Sequence, residues 1–244
     1  MESNCSIVVQ ARMTSSRLPG KILKEVLGKP LLEYQIERLR KVKRADQIVI
    51  ATTDLPSDDP VFALSERLSV LCFRGPEDDV LGRYYGAIET YPSKIVVRST
   101  ADCPLIDPNI VDAVIGLYQD GGYDYASNTL TRSFPRGLDC EVFSRKMLET
   151  ALREGKKIYE REHVTPYFYQ HPELYRLGCL KNSEDQSHHR WTVDTAEDFE
   201  LISKLIAALY PTNPDFRMRD VLALFKIHPD WIKINAHVEQ KPLA

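Results

Sequence analysis

Between Gln10 and Lys21 the sequence gathers Arg12, Ser15, Ser16, Arg17 and Lys21 in one short Ser/Arg/Pro/Gly-rich stretch. Arginine brings forked donors, lysine a compact charge, and serine hydroxyls with loop amides the remaining donors, a mixture matched to a chain of phosphates. No G-x-G-x-x-G is present, and Ile22 follows Lys21 where a P-loop carries Ser or Thr for a metal. A solvated basic loop with a Pro19-Gly20 turn fits the same spacing. Two acidic residues farther along could hold a cation, since magnesium takes one or two protein carboxylates together with phosphate oxygens and water. Asp102 lies just past the apolar run 95–98, and Pro104 then stops any sheet ladder; Asp194 closes the run 191–193 directly before Thr195-Ala196-Glu197. Each has a structural competitor, Asp102 as a turn former and Asp194 as a helix cap. Thr195 and Asp198 are spaced as a capping box that leaves Asp194 free, and Asp107 before Pro108 reads as a helix start.

These side chains need a scaffold. Residues 5–10 form a short apolar run of the kind buried on both faces of a sheet, and over 30–42 Leu32, Ile36 and Leu39 make one helical stripe while Glu37, Arg38 and Lys41 face water. Strands at 47–51, 70–73 and 94–98 then alternate with helices at 60–68 and 78–91. Such alternation implies an α/β fold with right-handed crossovers and a mainly parallel sheet, whose ligands bind beyond the C-terminal strand ends. Past a helix beginning near Pro108 the rhythm breaks into strands at 123–126 and 138–143, helices at 144–154 and 161–170, and a strand at 174–180, an antiparallel elaboration in the middle of the chain. A last short strand, 191–193, leads into a helix carrying Phe199, Ile202, Ile206 and Leu209, and 217–225 is the final helix.

The 244 residues, 43% hydrophobic and 27% charged, exclude a disordered chain, and no apolar run approaches the ~20 residues of a membrane helix. An N-terminus without a basic segment or an apolar core reads as neither signal nor transit peptide, so a cytoplasmic protein is expected. Five scattered cysteines without a C-x-x-C fit reduced thiols rather than disulfides or a zinc ribbon, and His188-His189 lack ligand spacing. A net charge of −3 argues against nucleic-acid binding, yet residues 11–44 carry ten Lys/Arg against three Glu, a local +7 suited to an anion.

The run Val9-Gln10-Ala11-Arg12, then Arg17-Leu18-Pro19-Gly20-Lys21 with Gly28-Lys29-Pro30 beyond, resembles the N-terminal signature of sugar cytidylyltransferases, which make CMP-activated keto-deoxy sugar acids. The resemblance is strongest to the spore coat polysaccharide biosynthesis protein F subgroup, and it continues through 98–107, 135–143, 161–166 and 191–198. It implies a Rossmann-like, GT-A-like nucleotidyltransferase fold, with 1–244 a single domain and about 123–182 an elaboration for acceptor binding and dimerisation. It also implies CTP as the nucleotide, Mg2+ as the cofactor on Asp102 and Asp194, and a homodimer. Nucleotide contacts are expected from Gln10, Ala11, Arg12, Ser15, Ser16, Arg17, Lys21, Arg74 and Arg83, with backbone groups near Ala11 discriminating cytosine. Arg12, Lys21 and Asp102 are the expected catalytic residues. In the elaboration, Arg136, Asp139, Glu141, Arg161 and His163 are aimed at the acceptor: strand alternation puts Asp139 and Glu141 on one face, Arg161 to His163 open a helix, and Arg136 suits a carboxylate. Surface ion pairs around a dimer contact, or for His163 a core position, fit those residues equally.

The expected function is transfer of CMP from CTP to the hydroxyl of a sugar or keto-deoxy sugar acid with release of pyrophosphate, for surface polysaccharide or glycan precursors. Members acting on sialic acid carry Asp-x-Asp at the second acidic site, whereas this chain has Thr192-Val193-Asp194, which points away from that substrate. The alternatives are a metal-dependent glycosyltransferase, which needs an Asp-x-Asp at a strand end, and a non-catalytic nucleotide-binding module whose binding ignores magnesium. No nucleic-acid or membrane partner is expected.

Overall fold

The computed structural model describes residues 3–241. Strand β1 (Ser3–Gln10) lies inside the sheet, and its side chains alternate between two apolar clusters: Cys5, Ile7 and Val9 enter one and Val8 the other, all 0% exposed. Each such aliphatic side chain contributes roughly 1.5–3 kcal/mol by leaving water. A small hairpin, β2 (Glu25–Val26) and β3 (Lys29–Pro30), turns through Leu27 and Gly28, both at positive φ, and delivers the chain to helix α1 (Leu31–Leu39). Then follow β4 (Gln47–Thr53), α2 (Asp59–Arg67), β5 (Leu71–Gly75), α3 (Val80–Thr90) and β6 (Ser93–Thr100). Strand β1 pairs in parallel with β4 on one side and β6 on the other. The strand order therefore reverses between β1 and β6, where Gln10 stands opposite Thr100, the position at which sheets of this kind take their ligands.

The second half adds α4 (Pro108–Gly121), β7 (Tyr125–Ser127), β8 (Glu141–Ser144), α5 (Arg145–Glu154), α6 (Ile158–His163), α7 (Pro166–Tyr169) and β9 (Leu177–Cys179). Among the described residues the main sheet has seven strands in the order β5-β4-β1-β6-β8-β7-β9. Only β8 runs against its neighbours in that sheet, since β7 and β9 pair in parallel. The antiparallel elaboration is thus one reversed strand in a parallel sheet. Helices α1, α2 and α4 cover one face of the sheet and α3 and α5 the other.

Several expected elements differ. The strand expected from 138 starts at Glu141, so Asp139 lies outside it. The helix expected over 161–170 is two helices, because Val164 sits at φ 69°, ψ −52° in a tight γ-turn where the Thr165 N–H donates to the His163 carbonyl. Arg161 to His163 therefore end a helix rather than open one. Residues 191–193 are not a strand. They follow a single parallel bridge between Arg136 and Arg190, and the Val193 N–H donates to the Asp102 carbonyl at 2.9 Å. Gly137 permits this approach: at φ 101° a Cβ there would lie 2.6 Å from the Trp191 carbonyl carbon.

Beyond this segment, α8 (Ala196–Leu209) begins with the expected Thr195–Asp198 capping box, and α9 (Met218–Ile227) follows. Both pack with Trp191, Val193 and Phe216 against Leu31 and Tyr34 of α1, a third apolar cluster. The N-terminal basic block is largely structural. Arg38 does not face water but is 4% exposed, stacks on Phe216, and donates to the carbonyls of Ile106 and Phe216. None of the five cysteines is in a disulfide, and among the described residues no helix is long and apolar enough to cross a membrane.

Candidate active site

Loop 11–21 leaves the C-terminal end of β1 and is tied down from behind. The Met13 N–H donates to Asp58 Oδ1 at 2.8 Å, and the other oxygen of this fully buried carboxylate accepts from Thr52 and Thr53 at the end of β4. Burial alone would raise the Asp58 pKa, but the bonds from Thr53, Met13 and Thr52 outweigh it and hold the group below its ordinary value. Asp58 had no motif to mark it. Gly20, left-handed at φ 66°, then turns the loop so that Lys21 points inward.

At the rim between β1 and β6, the Lys21 ammonium lies 3.1 Å from Asp102 Oδ2 and 2.7 Å from Asp194 Oδ1. The other Asp194 oxygen meets Arg17 at 2.9 Å and Arg190 at 2.6 Å. Thr100 donates to Asp102 Oδ1 at 2.6 Å, and the Cys103 thiol approaches the same oxygen at 3.4 Å. Burial would raise the Asp102 pKa, yet Lys21 and these hydrogen bonds win and lower it to about 2, so the carboxylate stays ionised. Lys21 is pulled in opposite senses, down by burial and up by its two acidic partners, and the partners prevail. Four of the residues singled out in the sequence, Arg17, Lys21, Asp102 and Asp194, thus converge at one point.

The remaining candidates scatter. Arg12 is exposed and turns toward Glu77, 4.0 Å away in the loop after β5, while Ser15 is half-buried and Ser16 exposed along the loop. Ala11 donates its N–H to the Ala51 carbonyl at 3.1 Å, so this amide belongs to the sheet and is not free to read a base. At the neighbouring position Gln10 Oε1 is buried without a hydrogen-bond partner. Arg74 is engaged by the carbonyls of Thr53 and Leu55 and by Asp59, and Arg83, 1% exposed, by the carbonyls of Pro76 and Glu77. Both hold loops in shape rather than face a phosphate.

Of the acceptor-side residues, Asp139 pairs with both ends of the Arg132 fork at 2.7 and 3.0 Å. Glu141 is buried instead, accepting from Arg98 and, at 2.6 Å each, from Tyr125 and Thr165. The two carboxylates do not share a face. Arg161 joins α6 to Asp79, the cap of α3, and is a strut. Arg136 stays half-buried; burial and then the neighbouring Arg132 lower its pKa. Burial likewise lowers the pKa of His163, so its imidazole is neutral at pH 7. Sequence reasoning missed Arg98, Arg132 and Arg190; the last sits four residues before Asp194 and eight before Asp198, but in a segment with no helical pattern to make that spacing meaningful.

The sequence profile of the cytidylyltransferase family matches residues 6–223. The chain belongs to this family. It is 35% identical over 233 residues to the spore coat polysaccharide biosynthesis protein SpsF of Bacillus subtilis, covering 91% of this chain and 94% of that one. A 3-deoxy-manno-octulosonate cytidylyltransferase of Anaeromyxobacter dehalogenans is 31% identical over 242 residues, with 83% and 98% covered. The structure of a cytidylyltransferase from Leptospira borgpetersenii superposes with a TM-score of 0.89 at 34% identity, over 98% of this chain and 99% of that chain. The family's nucleotidyltransferase fold is therefore the one described above, and loop 11–21 with both acidic positions lies inside the matched region.

Proposed function

We propose that this family member transfers CMP from CTP to a hydroxyl of a sugar or keto-deoxy sugar acid and releases pyrophosphate. The observation that carries the reading is the convergence of Asp102 and Asp194 on one cation, Lys21, at the β1/β6 switch point. The donor set fits magnesium: two carboxylates share a focus, and Asp102 is ionised. Among the described residues no third acidic, histidine or cysteine ligand joins them, so the remaining ligands would be phosphate oxygens and water. Asp102 and Asp194 would hold the ion, which when bound draws charge from the phosphate oxygens. The acceptor hydroxyl attacks the α-phosphorus in line, its oxygen–phosphorus bond forming as the bond to pyrophosphate breaks and its proton passing to solvent. Lys21 and Arg17, already aimed at anionic oxygens, stabilise the departing pyrophosphate, and Arg12 lies on the same loop. The unpartnered Gln10 Oε1 is an acceptor suited to a base amino group. On the acceptor side, Arg136, which forms no ion pair among the described residues, suits a substrate carboxylate, in keeping with the sugar-acid relatives. Ile158 and Leu174, exposed apolar side chains of the elaboration, support a homodimer built through that region.

The test is pyrophosphate release from CTP against a panel of keto-deoxy acids and polyols, with and without magnesium. Release with one acceptor class, dependent on metal, is expected. CTP binding that ignores magnesium and yields no pyrophosphate with any acceptor refutes the reading.

A further inference from the structure

Asp194 is held by a network that neither the fold nor the capping of α8 requires. Arg190, 7% exposed, donates through Nε to Asp198 Oδ1 at 3.0 Å and through Nη2 to Asp198 Oδ2 at 3.2 Å and Asp194 Oδ2 at 2.6 Å. Its third nitrogen, Nη1, donates to Gln240 Oε1 at 2.7 Å. Asp198, with no exposure at all, accepts the Asp194 N–H at 2.9 Å and the Thr195 N–H at 3.1 Å on one oxygen, and Asn235 Nδ2 at 2.8 Å on the other. Asn235 Nδ2 donates again, to the Arg190 carbonyl at 2.9 Å. Asp194 is therefore gripped at both its backbone and its carboxylate by one buried Arg–Asp pair. That pair is closed from behind by residues 235–240, which return to the site after α8, α9 and the short 3-10 turn Pro229–Lys233.

A helix cap needs only Asp198 and Thr195. Burying a guanidinium and a carboxylate merely to stabilise the fold is a poor exchange, because apolar residues of similar volume commonly do as well. What the arrangement does supply is orientation: a planar fork fixed at Asp198 holds one donor on Asp194 Oδ2, beside that of Arg17, so that the other oxygen, Oδ1, faces Lys21, the ammonium that also meets Asp102. We infer that segment 235–240 is a positioning strap for Asp194, acting through Arg190 and Asp198. The inference rests on the metal reading of Asp102 and Asp194 proposed above. Arg190 and Asn235 are positioning residues, and the strap makes segment 235–240 part of the site.

The test measures metal binding rather than turnover. Mn2+ is titrated into the full chain with saturating CTP, and bound ion is followed by loss of its free-ion electron paramagnetic resonance signal, alongside a melting curve for each variant. Partners behind a metal ligand commonly govern 10–100-fold in metal affinity, so Arg190→Lys and Asn235→Ala should each raise the half-saturating Mn2+ concentration by roughly 10-fold or more. Gln240 is exposed and touches the pair through one hydrogen bond, so Gln240→Ala should keep the wild-type melting temperature while raising the half-saturating concentration about 3-fold, less than the buried partners do. This variant carries the test if the buried ones fail to fold. Wild-type half-saturation in the folded variants overturns the strap alone; a wild-type chain that binds no Mn2+ with CTP overturns the metal reading and the strap with it.

Discussion

Replacing Lys21 by methionine removes one charge from between two carboxylates and keeps most of the side-chain volume. Asp102 titrates at about 2 in the folded chain against an ordinary 3.8. With its side chain 22% exposed and that of Lys21 11%, screening is modest, and the depression corresponds to roughly 2 kcal/mol of stability at neutral pH. Because the folded pKa is depressed, this stability is fully present above the unfolded value and is lost as pH falls toward 2. Without Lys21, burial is opposed only by the hydrogen bonds from Thr100 and Cys103, so the Asp102 pKa rises, while Asp194 keeps Arg17 and Arg190. In metal-free and nucleotide-free buffer, Lys21→Met should therefore cost about 3 kcal/mol at pH 7, the low end for breaking a buried pair, shrinking to about 1 kcal/mol at pH 3, where the variant carries Asp102 protonated. Urea unfolding followed by tryptophan fluorescence measures both values. A loss below about 1 kcal/mol at pH 7, or an equal loss at the two pH values, would show that Lys21 does not set the charge state of Asp102.

Asp102→Asn and Asp194→Asn should each lower pyrophosphate release by ~10²-fold or more without abolishing the unfolding transition, and near-normal rates in either would remove that residue from the metal site. His189, 6% exposed and stacked on Phe225, has its pKa pushed down to about 4 by burial and then by His188. The unfolded chain takes up that proton first, so stability should fall between pH 6.5 and 4, by roughly 3 kcal/mol at pH 4, and His189→Phe should flatten that limb of the acid-denaturation curve. Ser69 ends α2 at φ 52° in a Schellman arrangement, its N–H on the Glu66 carbonyl and the Val70 N–H on that of Ser65. Ser69→Gly should stabilise the protein by about 1 kcal/mol in denaturant titrations, and a neutral or negative change would reject strain at that position.

The parallel half of the sheet was legible because strands buried on both faces read as apolar runs, and the crevice between β1 and β6 follows from strand order. Arg17, Lys21, Asp102 and Asp194 were legible as types of group, but not as neighbours, since their meeting depends on contacts across most of the chain. Cations were read least well. Nothing local distinguishes Lys21, which meets two carboxylates, from Arg38, engaged by carbonyl oxygens of distant segments, or from Arg74 and Arg83, which hold neighbouring loops in shape. Trp191 to Val193 has the β-branched and aromatic look of a strand, yet its partners are the Arg136 bridge and the Asp102 carbonyl, a tertiary fit that Gly137 alone permits. Glu141 reads as an acceptor-side group because strand alternation would put it on one face with Asp139; its carboxylate instead pairs with Arg98 on the neighbouring strand β6.

Lys21 finds Asp102 81 positions later and Asp194 173 positions later. At the ~5–20 residues per second of protein synthesis, Lys21 and Arg17 leave the ribosome roughly ten to thirty seconds before Asp194 exists. The parallel strands β1, β4, β5 and β6 can pair in that interval, so a nascent chain presents a formed crevice whose basic loop has not yet met the second acidic group. The candidate site is completed last, when the entry to α8 and then segment 235–240 arrive, and early folding takes place around a basic loop that has not yet met this second carboxylate.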